Sequence, residues 1–120
     1  LFESFRGTGV CLSTPTGSTA YNKSLGGALV YPTLRAFQMT EIASINNNVF
    51  RTIGSPLIIP EEQTVTLQSE NFQDVTITRD HLYESYKNIQ KIRVTLSSRS
   101  VTFLKRREGL FWNRVKQHFL

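Results

Sequence analysis

Alternation of apolar and polar residues organises the second half of the chain. Residues 64–67 and 75–78 each alternate valine, leucine or isoleucine with threonine. This period of two predicts strands with one buried and one exposed face. The polar stretch between them, residues 69–73, predicts a hairpin loop that joins the two strands.

Further short segments fit the same pattern. Apolar residues share one face of residues 92–96, and Val101 and Phe103 continue the alternation after a polar turn. Residues 57–59 form an apolar run between two prolines. Several short strands separated by polar turns predict a mainly β chain built as an antiparallel β-sandwich.

The first half of the chain combines short apolar runs with turns. Residues 1–6 and 10–13 predict strands on either side of a Gly-Thr-Gly turn. Residues 20–25 predict a helix of under two turns, capped by Ser18 and ended by two glycines. By periodicity alone, residues 34–45 fit a helix and a strand equally well.

The end of the chain has a helical period. Phe111, Val115 and Phe119 are spaced four apart with Trp112 beside them, which predicts a short helix with one apolar stripe. Such a short helix is marginal alone, so its stripe needs a surface to pack on. From the residues alone, we expect the stripe to pack on the predicted β-sandwich.

Hydroxyl groups are concentrated directly after the strand at residues 10–13. Residues 13–21, Ser-Thr-Pro-Thr-Gly-Ser-Thr-Ala-Tyr, hold five serine or threonine side chains, a proline and a glycine. Proline fixes one backbone angle, and glycine permits a close approach of a ligand to the backbone. The backbone donors and hydroxyls of such a turn can hold a nucleotide. A capped turn without a ligand is the alternative.

Composition narrows the class of protein. The 120 residues are 39% hydrophobic and 19% charged, which suits one domain with a modest core. No run approaches the ~20 apolar residues of a membrane span. The single cysteine, Cys11, permits no internal disulfide, and the two histidines lack cysteine partners for zinc. With no secretory leader in the sequence, we expect a cytoplasmic protein without membrane contact.

The net charge of +5 is concentrated near the end of the chain, where five basic residues between 105 and 116 accompany one glutamate. A solvated face, an anionic small molecule or an acidic partner domain would each explain this charge. No motif of a nucleic-acid-binding fold accompanies it, so we expect no nucleic-acid partner.

The string Thr-Pro-Thr-Gly-Ser-Thr-Ala-Tyr, residues 14–21, closely resembles the signature of the NAD kinase family. Residues 22–28, 40–47 and 111–116 also resemble its bacterial branch, the ATP/polyphosphate-dependent NAD kinases. The resemblance therefore runs through nearly the whole chain. It implies a strand over residues 36–43 and the C-terminal part of a two-domain kinase with an α/β domain and a β domain.

The resemblance also implies a division of the chain. Residues 1–104 would form an NAD-binding β-sandwich domain, and residues 105–120 a segment and helix that pack back on a missing N-terminal α/β domain. In the family that domain carries a Gly-Gly-Asp-Gly motif, whose aspartate is the catalytic base, and an Asn-Glu motif that holds adenosine. Neither string occurs here. We therefore expect no catalytic residue in this chain, and no activity from it alone.

The activity implied by the resemblance is phosphorylation of NAD. The 2′-hydroxyl of its adenosine ribose would accept a phosphoryl group from ATP to give NADP, with Mg²⁺ or another divalent cation accompanying the ATP. The implied partners are NAD, ATP, the N-terminal domain and further copies of the chain in a dimer or tetramer. No metal ligand is implied within the chain.

Several NAD-binding residues follow from the match to the family. Thr19, Ala20 and Ser24 would line the adenine site, with the ring and hydroxyl of Tyr21 near the ribose. Hydroxyl and backbone groups can bind the adenine edge, and tyrosine offers a flat face with a polar tip.

Two positions, one at the end of the predicted strand and one just after it, match residues that act between subunits. Ala43 and Ile45 would reach the adenosine bound to a neighbouring subunit. Packing in the core is the alternative for both residues.

Three further positions complete the implied site. His81 matches a position near the new 2′-phosphate, and Arg6 could bind an anion through two hydrogen bonds, although both residues also suit a solvated surface. Thr8 stands where the family has the aspartate of a Gly-Asp-Gly string, on the nicotinamide side. This loss of a charge supports an alternative function, a non-catalytic nucleotide-binding or regulatory β module.

Overall fold

The computed structural model describes residues 1–69, 72, 74–104 and 109–120. They fall into two compact units, one made of Leu1–Glu61 with Ser97–Leu120 and the other of Glu62–Leu96. The predicted domain boundary lies between residues 104 and 105. Residues 105–108, which include most of the basic residues near the end of the chain, lie outside the described residues. The division of the chain at this boundary therefore stays a prediction.

The first unit is built on a three-stranded antiparallel sheet. Strand β2 (Ala36–Ile42) lies at the centre, between β1 (Gly9–Ser13) and β3 (Leu57–Pro60). Gly9 lies opposite Ile42 at one end of the β1–β2 pair, and Ser13 lies opposite Gln38 at the other. The ambiguous segment therefore contains a strand. The first three residues of β2 are all buried because this strand has a neighbour on each side.

A short helical segment connects β1 to β2. A 3-10 helix (Thr16–Thr19) is followed by helix α1 (Tyr21–Ser24), and the chain then turns at Gly26, whose φ of 82° suits glycine. The helix and its glycine end are confirmed. The prediction that Ser18 caps α1 is wrong, because Ser18 lies inside the 3-10 helix and its hydroxyl is engaged elsewhere.

The C-terminal helix is also confirmed. Helix α2 (Leu110–Phe119) buries Phe111, whose ring meets Tyr31 edge to face with centroids 5.2 Å apart. The ammonium of Lys23 lies 4.4 Å from the centroid of the Phe119 ring. In this unit the helix thus contacts both α1 and the segment before β2, while Trp112 stays exposed.

The second unit contains two antiparallel pairs. Strand β4 (Thr64–Gln68) pairs with β7 (Lys91–Thr95), and β5 (Asp74–Arg79) pairs with β6 (Leu82–Lys87). The predicted hairpin between β4 and β5 is wrong, since each strand pairs elsewhere. Three residues of its predicted loop, 70, 71 and 73, lie outside the described part of the chain.

The partner of β5 was not predicted at all. Strand β6 is exposed at every position, and its sequence does not alternate apolar and polar residues. The period of two that predicted the other strands is therefore absent from it. The two strands meet at a tight turn in which Asp80 has a φ of 53°, a conformation that aspartate tolerates better than most residues.

Two predicted strands do not form. Residues 1–6 lie outside the sheet, and so do residues 101–103, where Val101 and Phe103 are exposed. Every strand pairing in the described residues is antiparallel. The predicted mainly β fold, with a short helix after the hydroxyl-rich turn and a helix at the end, is confirmed. No helix in the described ranges has the length and apolar character needed to cross a membrane.

Candidate functional site

Among the described residues, the most deeply buried side chains are polar. Ser18, Asn22, Gln38 and Thr40, here called the polar cluster, have relative exposures of 0%, 1%, 1% and 3%. Two members come from the hydroxyl-rich turn and α1, and two come from the central strand β2. Since burying a polar group without a hydrogen bond is costly, their contacts decide how the turn sits on the sheet.

Asn22 is the buried residue of α1. Its Nδ2 donates to the carbonyl oxygens of Ser18 at 3.3 Å and Ala28 at 3.4 Å. Its Oδ1 accepts a hydrogen bond of 2.8 Å from the hydroxyl of Thr40. The amide thereby connects the 3-10 helix, the segment after α1 and strand β2.

Gln38 and Ser18 hold the segment after the helix. The backbone N–H of Ala28 donates to Oε1 of Gln38 at 2.7 Å, and Nε2 of Gln38 donates to the carbonyl of Ala28 at 3.0 Å. The Ser18 hydroxyl accepts from the N–H of Val30 at 2.9 Å and donates to the carbonyl of Pro15 at 2.6 Å. These bonds explain why Ser18 is not free to cap α1.

Gly27 lies directly against the polar cluster. A Cβ atom at this position would come within 2.3 to 2.5 Å of the Asn22 amide group. Only glycine therefore lets the chain leave α1 this close to the side chain that anchors it.

Four of the predicted site residues lie on this anchored segment. Thr19 ends the 3-10 helix, Ala20 follows it, and Tyr21 and Ser24 are the first and last residues of α1. Tyr21 is 59% exposed, and Ala20 and Ser24 are exposed too. We call Thr19, Ala20, Tyr21 and Ser24 the binding wall. It presents an aromatic ring, hydroxyl groups and backbone donors on a support that the polar cluster fixes.

Four other predicted residues gather at the opposite end of β1. The N–H of Thr8 donates to the carbonyl of Ile42 at 2.9 Å, and the N–H of Ile45 donates to the carbonyl of Arg6 at 2.8 Å. Ala43, between these contacts, is exposed and has a φ of 49°. Two predicted groups of site residues are thus each brought together locally.

The two groups are separated by the length of β1. Its five residues span about 17 Å at the rise of a β-strand. Ala43 and Ile45 therefore do not adjoin the binding wall within one copy of the unit. Such a separation suits either the two ends of an extended ligand or two different ligands.

Arg6 and His81 have surroundings of their own. The guanidinium of Arg6 lies 4.2 Å from the centroid of the Phe50 ring, which orients it without neutralising its charge. His81 belongs to the second compact unit, where it is exposed in the turn between β5 and β6.

Comparison with known proteins identifies the family. Residues 1–106 match the model of the ATP-NAD kinase C-terminal domain. The chain is 52% identical over 119 residues to NAD kinase 1 of Listeria innocua, covering 99% of this chain and 45% of that protein. It is 52% identical over 120 residues to NAD kinase of Geobacillus stearothermophilus, covering 100% of this chain and 44% of that protein.

The chain belongs to the ATP-NAD kinase C-terminal domain family. It spans about half the length of the curated relatives it matches. A crystal structure of yeast NADH kinase complexed with NADH has the same fold, with a TM-score of 0.69 and 22% identity over 94% of this chain and 35% of that one. The predicted family and the predicted position in the C-terminal part are therefore confirmed.

Membership of the ATP-NAD kinase family leaves the roles of individual residues open. The contacts of Thr19, Ala20, Tyr21 and Ser24 with NAD stay predictions, as do those of the group around Thr8. In the part of the chain that the structure describes, no three His, Cys, Asp or Glu side chains are grouped to hold a metal ion. Burial raises the pKa of the Cys11 thiol, which disfavours the reactive thiolate form.

Sequence reasoning missed the supports of the site. Asn22, Gln38 and Thr40 were not selected because polar residues are mostly exposed. One signal was available, since glutamine and threonine interrupt the most apolar part of the strand at residues 36–42. A polar residue buried in a central strand needs a hydrogen-bond partner, so these two positions predict a polar contact on the sheet.

Glu41 is a second polar residue that sequence reasoning left out. Burial raises the pKa of its carboxyl, but hydrogen bonds with the side chains of Ser44, Thr52 and Glu3 and with the backbone of Gly54 outweigh this, and the net shift is downward. The Thr52 hydroxyl donates to Oε2 of Glu41 at 2.6 Å. The carboxylate thus ties the end of β2 to the loop before β3.

Proposed function

We propose that the protein containing this chain is an NAD kinase. It transfers the terminal phosphoryl group of ATP to the 2′-hydroxyl of the adenosine ribose of NAD, and this chain supplies the NAD-binding part. The observation that carries the proposal is the binding wall, an exposed aromatic and hydroxyl surface held on β2 by buried hydrogen bonds. The family membership and the names of the relatives support the same activity.

The chemistry of the wall suits adenosine. The exposed ring of Tyr21 offers a face for stacking and a hydroxyl for the ribose. Thr19 and Ser24 contribute hydroxyls that can donate to or accept from the adenine edge. Because these groups are anchored before the ligand arrives, less ordering entropy is lost on binding.

The reactive steps belong to residues outside this chain. A proton must leave the 2′-hydroxyl as the phosphoryl group arrives, and a divalent cation such as Mg²⁺ neutralises the charge of the ATP phosphates when it is bound. Since the family resemblance assigns the base to a motif of the N-terminal domain, we assign the base and the binding of ATP and Mg²⁺ to the other half of the protein, and substrate orientation to this chain.

The proposal extends to the assembly. Ala43 and Ile45 are exposed at the end of β2 farther from the binding wall, and Ile45 is 48% exposed. Their contact with the adenosine of a neighbouring copy would require a homo-oligomer, either a dimer or a tetramer. We expect this assembly to act in the cytoplasm.

A second function has one observation in its favour. Thr8 is exposed where the family resemblance implies an aspartate, so the nicotinamide side lacks one negative charge. A module that binds a nucleotide without catalysis would tolerate this loss. In that case the binding wall would be used, but phosphoryl transfer would not occur.

Incubation of the full-length protein with NAD, ATP and Mg²⁺ tests both functions. Formation of NADP, followed by a coupled NADP-dependent dehydrogenase, is the expected result. Binding of NAD by calorimetry without NADP formation would favour the non-catalytic module. Absence of both would overturn the two proposals together.

A further inference from the structure

We propose that Thr40 and Asn22 are positioning residues for NAD: their buried hydrogen bond sets the place of the binding wall on β2, and through it the affinity for NAD. This inference rests on the proposed function. Neither side chain is exposed to the ligand, since their relative exposures are 3% and 1%. They would act through the wall, not by touching NAD.

Helix α1 cannot hold its own position. It has four residues, and Ala20 at its start makes no side-chain hydrogen bond that would cap it. A helix of this length bears the unfavourable free energy of nucleation but has few of the backbone hydrogen bonds that stabilise longer helices. Its geometry therefore depends on contacts with the rest of the unit.

Those contacts are made mainly by a polar side chain. Tyr21 and Ser24 are exposed, and Asn22 is the residue of α1 that is buried. An apolar anchor could slide or rotate within a core, whereas the Asn22 amide must keep its three partners in fixed directions. The bond of 2.8 Å from Thr40 is the contact that ties this amide to a side chain of the sheet.

The location of Thr40 makes the bond a connection between the wall and the sheet. Thr40 lies opposite Cys11 in the β1–β2 pair, and Gln38 lies two residues before it on the same face of β2. Gln38 holds Ala28, and Asn22 also donates to the carbonyl of Ala28. Thr40 therefore holds the wall at Asn22, and Gln38 holds the chain at Ala28, shortly after the wall.

Replacing Thr40 by valine removes the donor and keeps the shape. Oδ1 of Asn22 then lies buried without its partner, and the amide must turn to find another donor or accept the cost. A turn of the amide moves α1, which carries Tyr21 and Ser24. The expected consequence is weaker binding of NAD with little change in the affinity for ATP.

The experiment uses the full-length protein and calorimetric titration with NAD well below the unfolding temperature. We expect Thr40→Val to weaken NAD binding about tenfold, because returning the displaced wall to its place for NAD would leave Oδ1 of Asn22 buried and unpaired. Thr40→Ser restores the hydroxyl and should bind NAD nearly as well as the unaltered protein. The KM for ATP should stay unchanged in both variants.

Two further variants separate positioning from general stability. Val94→Ala, in β7 of the other unit, lowers the melting temperature by removing partly buried apolar surface and should leave NAD binding unchanged. In a Tyr21→Ala background, Thr40→Val should cost less affinity than in the unaltered protein, because the contact it positions is gone. If Thr40→Val does not fold, Thr40→Ala, which removes the same donor to Asn22, replaces it in the same series.

The outcomes are distinct. If the unaltered protein does not bind NAD, the proposed function fails and the inference fails with it. If the unaltered protein binds NAD and Thr40→Val binds it equally well, the inference alone is overturned. Weaker binding by Val94→Ala in proportion to its loss of stability, or no recovery in Thr40→Ser, would also overturn it.

Discussion

Gln38 and Ala28 are joined by two hydrogen bonds, in which the side-chain amide of the glutamine serves as the partner of both backbone groups of the alanine. The distances are 2.7 Å from the Ala28 N–H to Oε1 and 3.0 Å from Nε2 to the Ala28 carbonyl. The geometry resembles one step of strand pairing, made by a side chain. A residue outside the sheet is thereby fixed to the central strand.

Replacing this glutamine by methionine should destabilise the protein. Gln38→Met keeps the length of the side chain but leaves the N–H and carbonyl of Ala28 without these partners. We expect a loss of about 2 kcal/mol in the free energy of unfolding, measured by urea denaturation of the full-length protein. Gln68→Met, the same change at an exposed position of β4, should cost much less. Equal losses in both variants would contradict a special role of the Gln38 pair.

Gly27 should not tolerate a side chain. In Gly27→Ala the new Cβ would meet the Asn22 amide at 2.3 to 2.5 Å, so the amide and its bond to Thr40 must shift. We expect a loss of about 1–3 kcal/mol, the usual cost of overpacking, visible as a lower melting temperature. Gly9→Ala is the control, since its Cβ would meet nothing closer than 3.7 Å. A melting temperature of Gly27→Ala equal to that of the control would refute the steric argument.

The strands and the last helix could be predicted because their signal lies in neighbouring residues. Alternation marked β4, β5 and β7, and a spacing of four marked the stripe of α2. Strand partners have no such local signal, because pairing depends on which edges meet in the folded chain. The exposed strand β6 shows this, since it pairs with β5, for which the sequence had predicted a hairpin with β4.

The candidate site also has a part that could be predicted from the sequence and a part that could not. The exposed binding wall could be predicted from the string at residues 14–21 and the family resemblance. Its supports could not, because Gln38 and Thr40 are buried only once β2 has a neighbour on each side. Their partners on the turn are then determined by tertiary packing, which propensity and period do not describe.

Tyr21 should dominate the affinity for NAD among the residues of the binding wall. We expect Tyr21→Ala to weaken NAD binding by about 1–3 kcal/mol in the full-length protein, the range for an aromatic side chain stacked on a base. Tyr21→Phe keeps the ring and should retain most of the affinity. Tyr83→Ala, at an exposed tyrosine of β6, is the matched control. Calorimetry that finds Tyr21→Ala and Tyr83→Ala alike would remove Tyr21 from the site.

Acid should weaken the connection at the end of β2. The pKa of the Glu41 carboxyl is lowered from 4.5 in the folded protein, so its charged form stabilises the fold above pH 4.5. This stabilisation decreases as the pH falls below 4.5 and is lost once the pH has passed the lowered pKa. We therefore expect the melting temperature to fall with acidification over this range, and Glu41→Gln to make the fall smaller.

The partner of this carboxylate provides a control. Thr52→Val removes the hydroxyl that donates to Glu41 at 2.6 Å and should also reduce the pH dependence, whereas Thr52→Ser should keep it. The measurement is the melting temperature of each full-length variant between pH 3 and pH 7, an interval of about four units around the ordinary carboxyl range. Parallel curves for the unaltered protein and Glu41→Gln would show that other groups cause the acid sensitivity.

Thr8 decides between the two proposed functions. Its side chain is exposed and its N–H is bound to the carbonyl of Ile42, so an aspartate can replace it without burying a charge or breaking the backbone contact. If the nicotinamide side needs a carboxylate, Thr8→Asp should raise the rate of NADP formation and lower the KM for NAD, whereas Thr8→Asn, with the same shape and no charge, should do neither. An unchanged rate in Thr8→Asp, with NADP still formed by the unaltered protein, would show that threonine is compatible with full activity and would remove the support for a non-catalytic module.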